Sequence, residues 1–119
     1  CGDRIHLFAI IDKNKMLDMS FKGNGCAITL ASSSIMTQIL KKEMIVDAKK
    51  LIDYFINKFK DPNLKFPLKR DKNIELKINS FDSVRKFPMR IKCAILPWLA
   101  AKSLILNDAN EINIENLDI

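Results

Sequence analysis

Two short apolar–polar alternations, placed end to end near the start of the chain, constrain its fold more than any other feature. From Arg4 to Ile11, Ile5, Leu7, Ala9 and Ile11 share one face, and His6, Phe8 and Ile10 share the other. Asp12-Lys13-Asn14-Lys15 is a polar turn, after which Leu17, Met19 and Phe21 oppose Met16, Asp18 and Ser20. Period-2 patterns on both sides of a polar break predict an antiparallel hairpin with strands at 4–11 and 16–21. Gly23-Asn24-Gly25 then ends the alternation at a point where glycine permits positive φ and close backbone approach. A hairpin returns the chain to its own beginning, so the residues before Arg4 lie beside those after Gly25.

The rest of the chain reads mainly as helix. Ala27 to Lys41 places Ile28, Ala31, Ile35 and Ile39 along one stripe. The run Ser32-Ser33-Ser34 is poor helix material alone and is tolerable where small side chains allow tight packing. Lys42 to Lys60 carries Ala48, Leu51, Ile52, Phe55, Ile56 and Phe59 at helical spacing, and Asp61-Pro62 ends it. The charged stretch from Asn63 to Asn79 reads as a surface excursion with a short strand at Ile74 to Ile78. Ser80 is a candidate N-cap for a short helix through Lys86. Ile91 to Leu106 reads as a largely apolar helix that tolerates Pro97 if it begins near Cys93. Residues 107–119 read as a loose C-terminal tail. The expected fold is a single α+β domain over 1–119, a small antiparallel sheet with helices packed on it.

Composition excludes several classes. The 119 residues are 48% hydrophobic and suffice for one domain. No apolar run approaches the ~20 residues that span a bilayer. The opening Cys1-Gly2-Asp3-Arg4 has neither an initiator Met nor a basic-then-apolar leader, so the sequence reads as a fragment and the expected location is cytoplasmic. The net charge of +6 comes from lysines spread along the chain. Without a basic block or an aromatic–arginine pattern, this reads as a solvated Lys-rich surface, with a nucleic-acid binder as the remote alternative.

The three cysteines, Cys1, Cys26 and Cys93, carry the chemistry. An odd number does not close a disulphide framework, and in a reducing compartment thiols persist as metal ligands or nucleophiles. The hairpin makes Cys1 and Cys26 neighbours. Cys93 is expected at a helix start, where N–H groups and the dipole favour a thiolate. Asp3 is the natural fourth group, because residues i and i+2 of an extended segment point the same way. Three thiolates and one carboxylate suit Zn²⁺, and the harder carboxylate makes ligand exchange feasible. Spacing alone leaves another reading open, with the cysteines as small buried hydrophobes. His6, the single histidine, is offset from Asp3 by an odd number of positions and reads as structural. Arg90 and Lys92 flank Cys93, either to hold a thiolate or persulphide or as solvated charges. Trp98 reads as core or interface.

Cys1-Gly2-Asp3 before a strand, Gly23-Asn24-Gly25-Cys26-Ala27-Ile28 before a Ser-rich helix, and Phe87-Pro88-Met89-Arg90-Ile91-Lys92-Cys93-Ala94 resemble the three signature regions of the U-type iron–sulphur assembly family (SufU, IscU and the N-terminal part of NifU). The likeness covers residues 1 to about 106 in order. It is nearest the SufU branch, because Lys92 stands where IscU-type members carry His and the segment between Cys26 and Cys93 is long. The family's N-terminal helix and first strand are missing from this sequence. The resemblance implies zinc held by Cys1, Asp3, Cys26 and Cys93, and sulphur taken by Cys1 from a cysteine desulphurase and passed to downstream scaffold or carrier proteins. The alternative it implies is a scaffold on which iron and a [2Fe–2S] cluster are held by Cys1, Cys26 and Cys93. A zinc-stabilised interaction module without chemistry is the reading from another class.

Overall fold

The computed structural model describes residues 3–68 and 72–107, and the backbone of a strand at 111–115. The predicted hairpin forms from β1 (Arg4–Asp12) and β2 (Lys15–Asn24). Lys13 and Asn14 in its turn take positive φ, 50° and 63°. Two such residues match the twist of the flanking strands. Ile10 pairs with Asp18 and Ile11 with Met16, so Leu17 is an extra residue in β2. This bulge breaks the simple alternation expected from the sequence. Met16 and Met19 are both buried, whereas Leu17 is exposed.

β1 is the middle strand of a three-stranded antiparallel sheet in the order β2-β1-β3. β3 (Glu111–Glu115) pairs with Arg4–Phe8. The expected loose tail at 107–119 is therefore corrected over 111–115, where Glu-Ile-Asn-Ile-Glu is itself an alternation. Residues 108–110 and 116–119 lie outside the described residues. Ile5, Leu7 and Ala9 of β1 are buried in the core. On the other face His6 stacks on Phe8, with ring centroids 4.3 Å apart.

α1 (Ala27–Leu40) packs on α4 (Pro88–Leu106). The buried face of α1 is Thr29, Ser32, Ser33, Met36, Thr37, Ile39 and Leu40. Of the expected stripe only Ile39 is buried; Ile28 and Ile35 pack partly against the core, and Ala31 is exposed. Small hydroxyl side chains win this face because they permit close approach and find hydrogen-bond partners within it. Ser32 Oγ donates to the carbonyl of Ala94 at 2.6 Å and accepts the indole N–H of Trp98 at 2.9 Å. Trp98 is fully buried and stacks on Phe55, 4.2 Å between centroids and 9° between planes. The core reading of Trp98 holds.

α2 (Ile45–Lys58) buries Ala48, Leu51, Ile52 and Phe55 as expected. It starts later than Lys42 because the preceding backbone is committed to β2. Met16 N–H donates to Glu43, Lys42 N–H to Met16 and Ile45 N–H to Asn14. The strand expected at Ile74 to Ile78 is instead helical, α3 (Lys72–Asn79). Ile74, Leu76 and Ile78 fit period 2, but Ile74 and Ile78 also fit i, i+4. Ile78 is fully buried while Leu76 is 66% exposed. Ser80 does not cap the next element; its hydroxyl donates back to Lys77. Phe81 occupies the N-cap of a short 3-10 turn, Asp82–Lys86. Lys58, almost wholly buried, ties α2 to these segments by donating to Asn79 Oδ1 and Asp82 Oδ1. α4 begins at Pro88, not Ile91, so Pro97 lies inside the helix. Lacking an N–H, Pro97 cannot give the helical bond to the carbonyl four residues back. No helix among the described residues is long and apolar enough to cross a membrane.

The α1–α4 contact generates a stability prediction. Ser32→Ala leaves the buried Trp98 N–H without its acceptor and costs roughly 1–3 kcal/mol in urea unfolding. A loss below about 0.5 kcal/mol, typical of an uninvolved surface position, contradicts the assigned bond.

Candidate metal centre at the open end of the hairpin

Arg4 pairs with Asn24, so Asp3, one residue earlier, falls beside Gly25. Asp3 is only 5% exposed. Its Oδ1 accepts the backbone N–H of Cys26 at 3.0 Å and its Oδ2 accepts the hydroxyl of Thr29 at 2.8 Å. The two glycines of the turn have steric reasons. A Cβ on Gly25 would stand 2.7 Å from Asp3 Oδ1, and one on Gly23 would stand 2.0 Å from the carbonyl oxygen of Arg4. The chain passes its neighbours too closely for any side chain at either position.

Cys26 is the N-cap of α1 and has an extended backbone, φ −68° and ψ 165°. Its Sγ lies 3.3 Å from Thr29 Oγ1. Cys93 lies inside α4 and is buried. It reaches Cys26 because Ser32 binds α4 to α1 at Ala94, the residue after Cys93. A carboxylate oxygen of Asp3 and the sulphurs of Cys26 and Cys93 all lie within 4.8 Å of one another. Asp3, Cys26 and Cys93 are thus brought together as the sequence predicts. Cys1 lies outside the described residues.

The helix start expected at Cys93 belongs to Cys26 instead, with direct electrostatic consequences. Burial raises the Cys26 pKa, but hydrogen bonding with Thr29, Cys93 and Ile28 outweighs it, leaving Cys26 below the ordinary cysteine value. Cys93 moves the other way. Burial, then the neighbouring Cys26 sulphur, push it up to about 11, with the Asp3 carboxylate adding to the rise. Cys93 is thus the weaker acid, contrary to the sequence expectation. Arg90 and Lys92 are exposed, and His6 is half-buried on the opposite face of β1. Sequence reasoning missed Thr29. The only signal for it was a hydroxyl residue three positions after Cys26, in the first turn of the helix.

One carboxylate and two thiols form a donor set for a thiophilic cation such as zinc or iron, not for the oxygen-seeking Ca²⁺ or Mg²⁺. Fold and site together define a class, a small α+β domain with an acidic thiol cluster at the pole where a hairpin meets a helix. Residues 1–94 match the NifU-like N terminal domain, and the chain belongs to that family. The zinc-dependent sulfurtransferase SufU of Bacillus subtilis (strain 168) is 39% identical over 101 residues, 84% of this chain and 65% of that protein. The iron–sulfur cluster assembly scaffold protein IscU of Streptococcus pyogenes serotype M1 is 34% identical over 119 residues, 100% of this chain and 72% of that protein. The chain therefore spans just under two thirds of the Bacillus relative's length. Among solved structures, a protein from Fervidobacterium islandicum AW-1 described as an iron–sulfur cluster assembly scaffold for the SUF system superposes with a TM-score of 0.76. It is 30% identical, with 88% of this chain and 73% of that chain covered.

The contrast between the two described thiols is open to chemical test. In metal-free protein at pH 8, iodoacetamide is expected to alkylate Cys26 before Cys93, because Cys26 is both more exposed and more acidic. Peptide mass mapping over a time course reads the order. Alkylation of Cys93 first, or of both at one rate, contradicts the assigned environments.

Proposed function

We propose that this chain takes part in iron–sulphur cluster assembly as a zinc-binding sulphur acceptor whose donor is a cysteine desulphurase. The observation that carries the reading is the meeting of Asp3, Cys26 and Cys93 at one point, in a chain of this family. The donor set fits zinc, with Asp3, Cys26 and Cys93 as ligands and Cys1, two residues before Asp3, as the fourth. Zinc supplies a positive charge that keeps the thiols deprotonated and the ligands ordered. A reducing compartment such as the cytosol keeps cysteine thiols available as metal ligands and sulphur acceptors.

Cys1 is the sulphur acceptor in this reading. Its thiolate attacks the outer sulphur of the desulphurase persulphide. A new S–S bond forms at Cys1, the S–S bond on the desulphurase breaks, and the desulphurase cysteine leaves as a thiolate. No external oxidant or reductant enters. Burial of Cys93 disfavours it as the attacking group and suits a holding role.

A second reading has support in the relatives described as scaffolds. Thiolates also hold [2Fe–2S] clusters, and Cys1, Cys26 and Cys93 would be the ligands. Anaerobic reconstitution with iron and sulphide separates the two, because a stable cluster chromophore supports the scaffold and retained zinc without chromophore supports transfer.

The direct test uses the organism's own desulphurase and free cysteine. The wild-type chain is expected to carry persulphide, and Cys1→Ser to carry none while keeping its fold. Persulphide persisting on Cys1→Ser removes Cys1 as acceptor. Zinc bound with no persulphide on the wild type favours an interaction module without chemistry. Metal analysis gives a separate check: Asp3→Ala is expected to lower zinc per chain, and an unchanged content removes Asp3 from the shell.

A further inference from the structure

We propose that Thr29 is a positioning residue of the metal centre, its hydroxyl fixing the Asp3 carboxylate against Cys26 so that both face the same ion. The proposal rests on the zinc reading above. Its first support is where the Thr29 proton goes. A helical Ser or Thr commonly bonds a carbonyl one turn back. Along α1 this is what Ser33 does, to Thr29, and Thr37 does, to Ser34. Thr29 instead donates across the fold, to Asp3 Oδ2 at 2.8 Å.

The second support is burial. Thr29 is fully buried, and its hydroxyl meets the Asp3 carboxylate and the Cys26 sulphur. Asp3 thereby has a donor on each oxygen, Cys26 N–H on Oδ1 and Thr29 on Oδ2. Two donors from different atoms at the start of α1 fix both the position and the rotation of the carboxylate plane. Each oxygen keeps a lone pair for a cation. The same hydroxyl oxygen, 3.3 Å from Cys26 Sγ, also limits where that sulphur can swing. Partners that orient a ligand in this way affect metal affinity although they never touch the metal.

The experiment measures zinc affinity by competition with a chromophoric chelator, on the whole chain. Thr29→Val keeps the branched shape and removes the hydroxyl; it is expected to weaken zinc binding about 10- to 100-fold. Thr29→Ser restores the hydroxyl and is expected to return most of that affinity, which a purely space-filling role for Thr29 would not give. The same Thr29→Val change is then made on top of Asp3→Ala, where its effect is expected to shrink because the carboxylate it orients is gone. Circular dichroism confirms folding of each variant, and Thr29→Ala, alone and with Asp3→Ala, carries the comparison if Thr29→Val does not fold. Equal affinity of Thr29→Val and wild type overturns the positioning role and leaves the zinc reading standing. An undiminished loss in the Asp3→Ala background also overturns it. A wild-type chain that takes up no zinc overturns both.

Discussion

The carboxylate of Asp3 is the interaction on which the site depends. It accepts the N–H that opens α1 and the hydroxyl of Thr29 one turn further on. Residues that orient a helix start are usually supplied by the helix itself, as when a side chain in its first turn reaches back to the N-cap N–H. Here the acceptor comes from the residue that leads into the hairpin. One buried acid therefore joins β1 to α1 and points an oxygen at two sulphurs. The join requires bare backbone at Gly25, whose missing side chain is the space that the carboxylate fills.

The second half of the site depends on the contact between α1 and α4. The Ser32 bonds to Ala94 and Trp98 set the height of α4 against α1, and so the height of Cys93 against Cys26. The stack of Trp98 on Phe55 extends the same rigid column into α2. The two thiols arrive with different characters. Cys26, at a helix start and half-buried, gives up its proton more readily. Cys93, buried, holds its proton to about 11 until a cation compensates its charge. The two thiols thus differ in both acidity and access.

Much of this is legible in the residues, for identifiable reasons. Alternation around a polar turn fixes the hairpin, and the hairpin alone places Asp3 next to Cys26. The apolar stripe of α2 is equally local. The illegible parts depend on distant partners. The Leu17 bulge is set where the backbone at 42–45 docks onto β2. Hydropathy favours an isoleucine stripe on α1, but close helix packing and hydrogen bonding bury the serines. Ile74, Leu76 and Ile78 fit both periods, and burial of Ile78 under neighbouring elements decides for helix. The strand at 111–115 exists through pairing with β1, at the far end of the sequence. Cys93 lies deeper in its helix than the sequence suggests, because Pro97 resembles the proline of a helix start, a part that Pro88 plays.

The central claim is that Asp3, Cys26 and Cys93 share one ion. X-ray absorption at the zinc edge of the loaded protein tests it most directly. The account predicts sulphur scatterers at ~2.3 Å with an oxygen at ~2.0–2.2 Å, and the loss of one sulphur each in Cys26→Ser and Cys93→Ser. A shell of nitrogen and oxygen alone, or a sulphur signal indifferent to both substitutions, would contradict it.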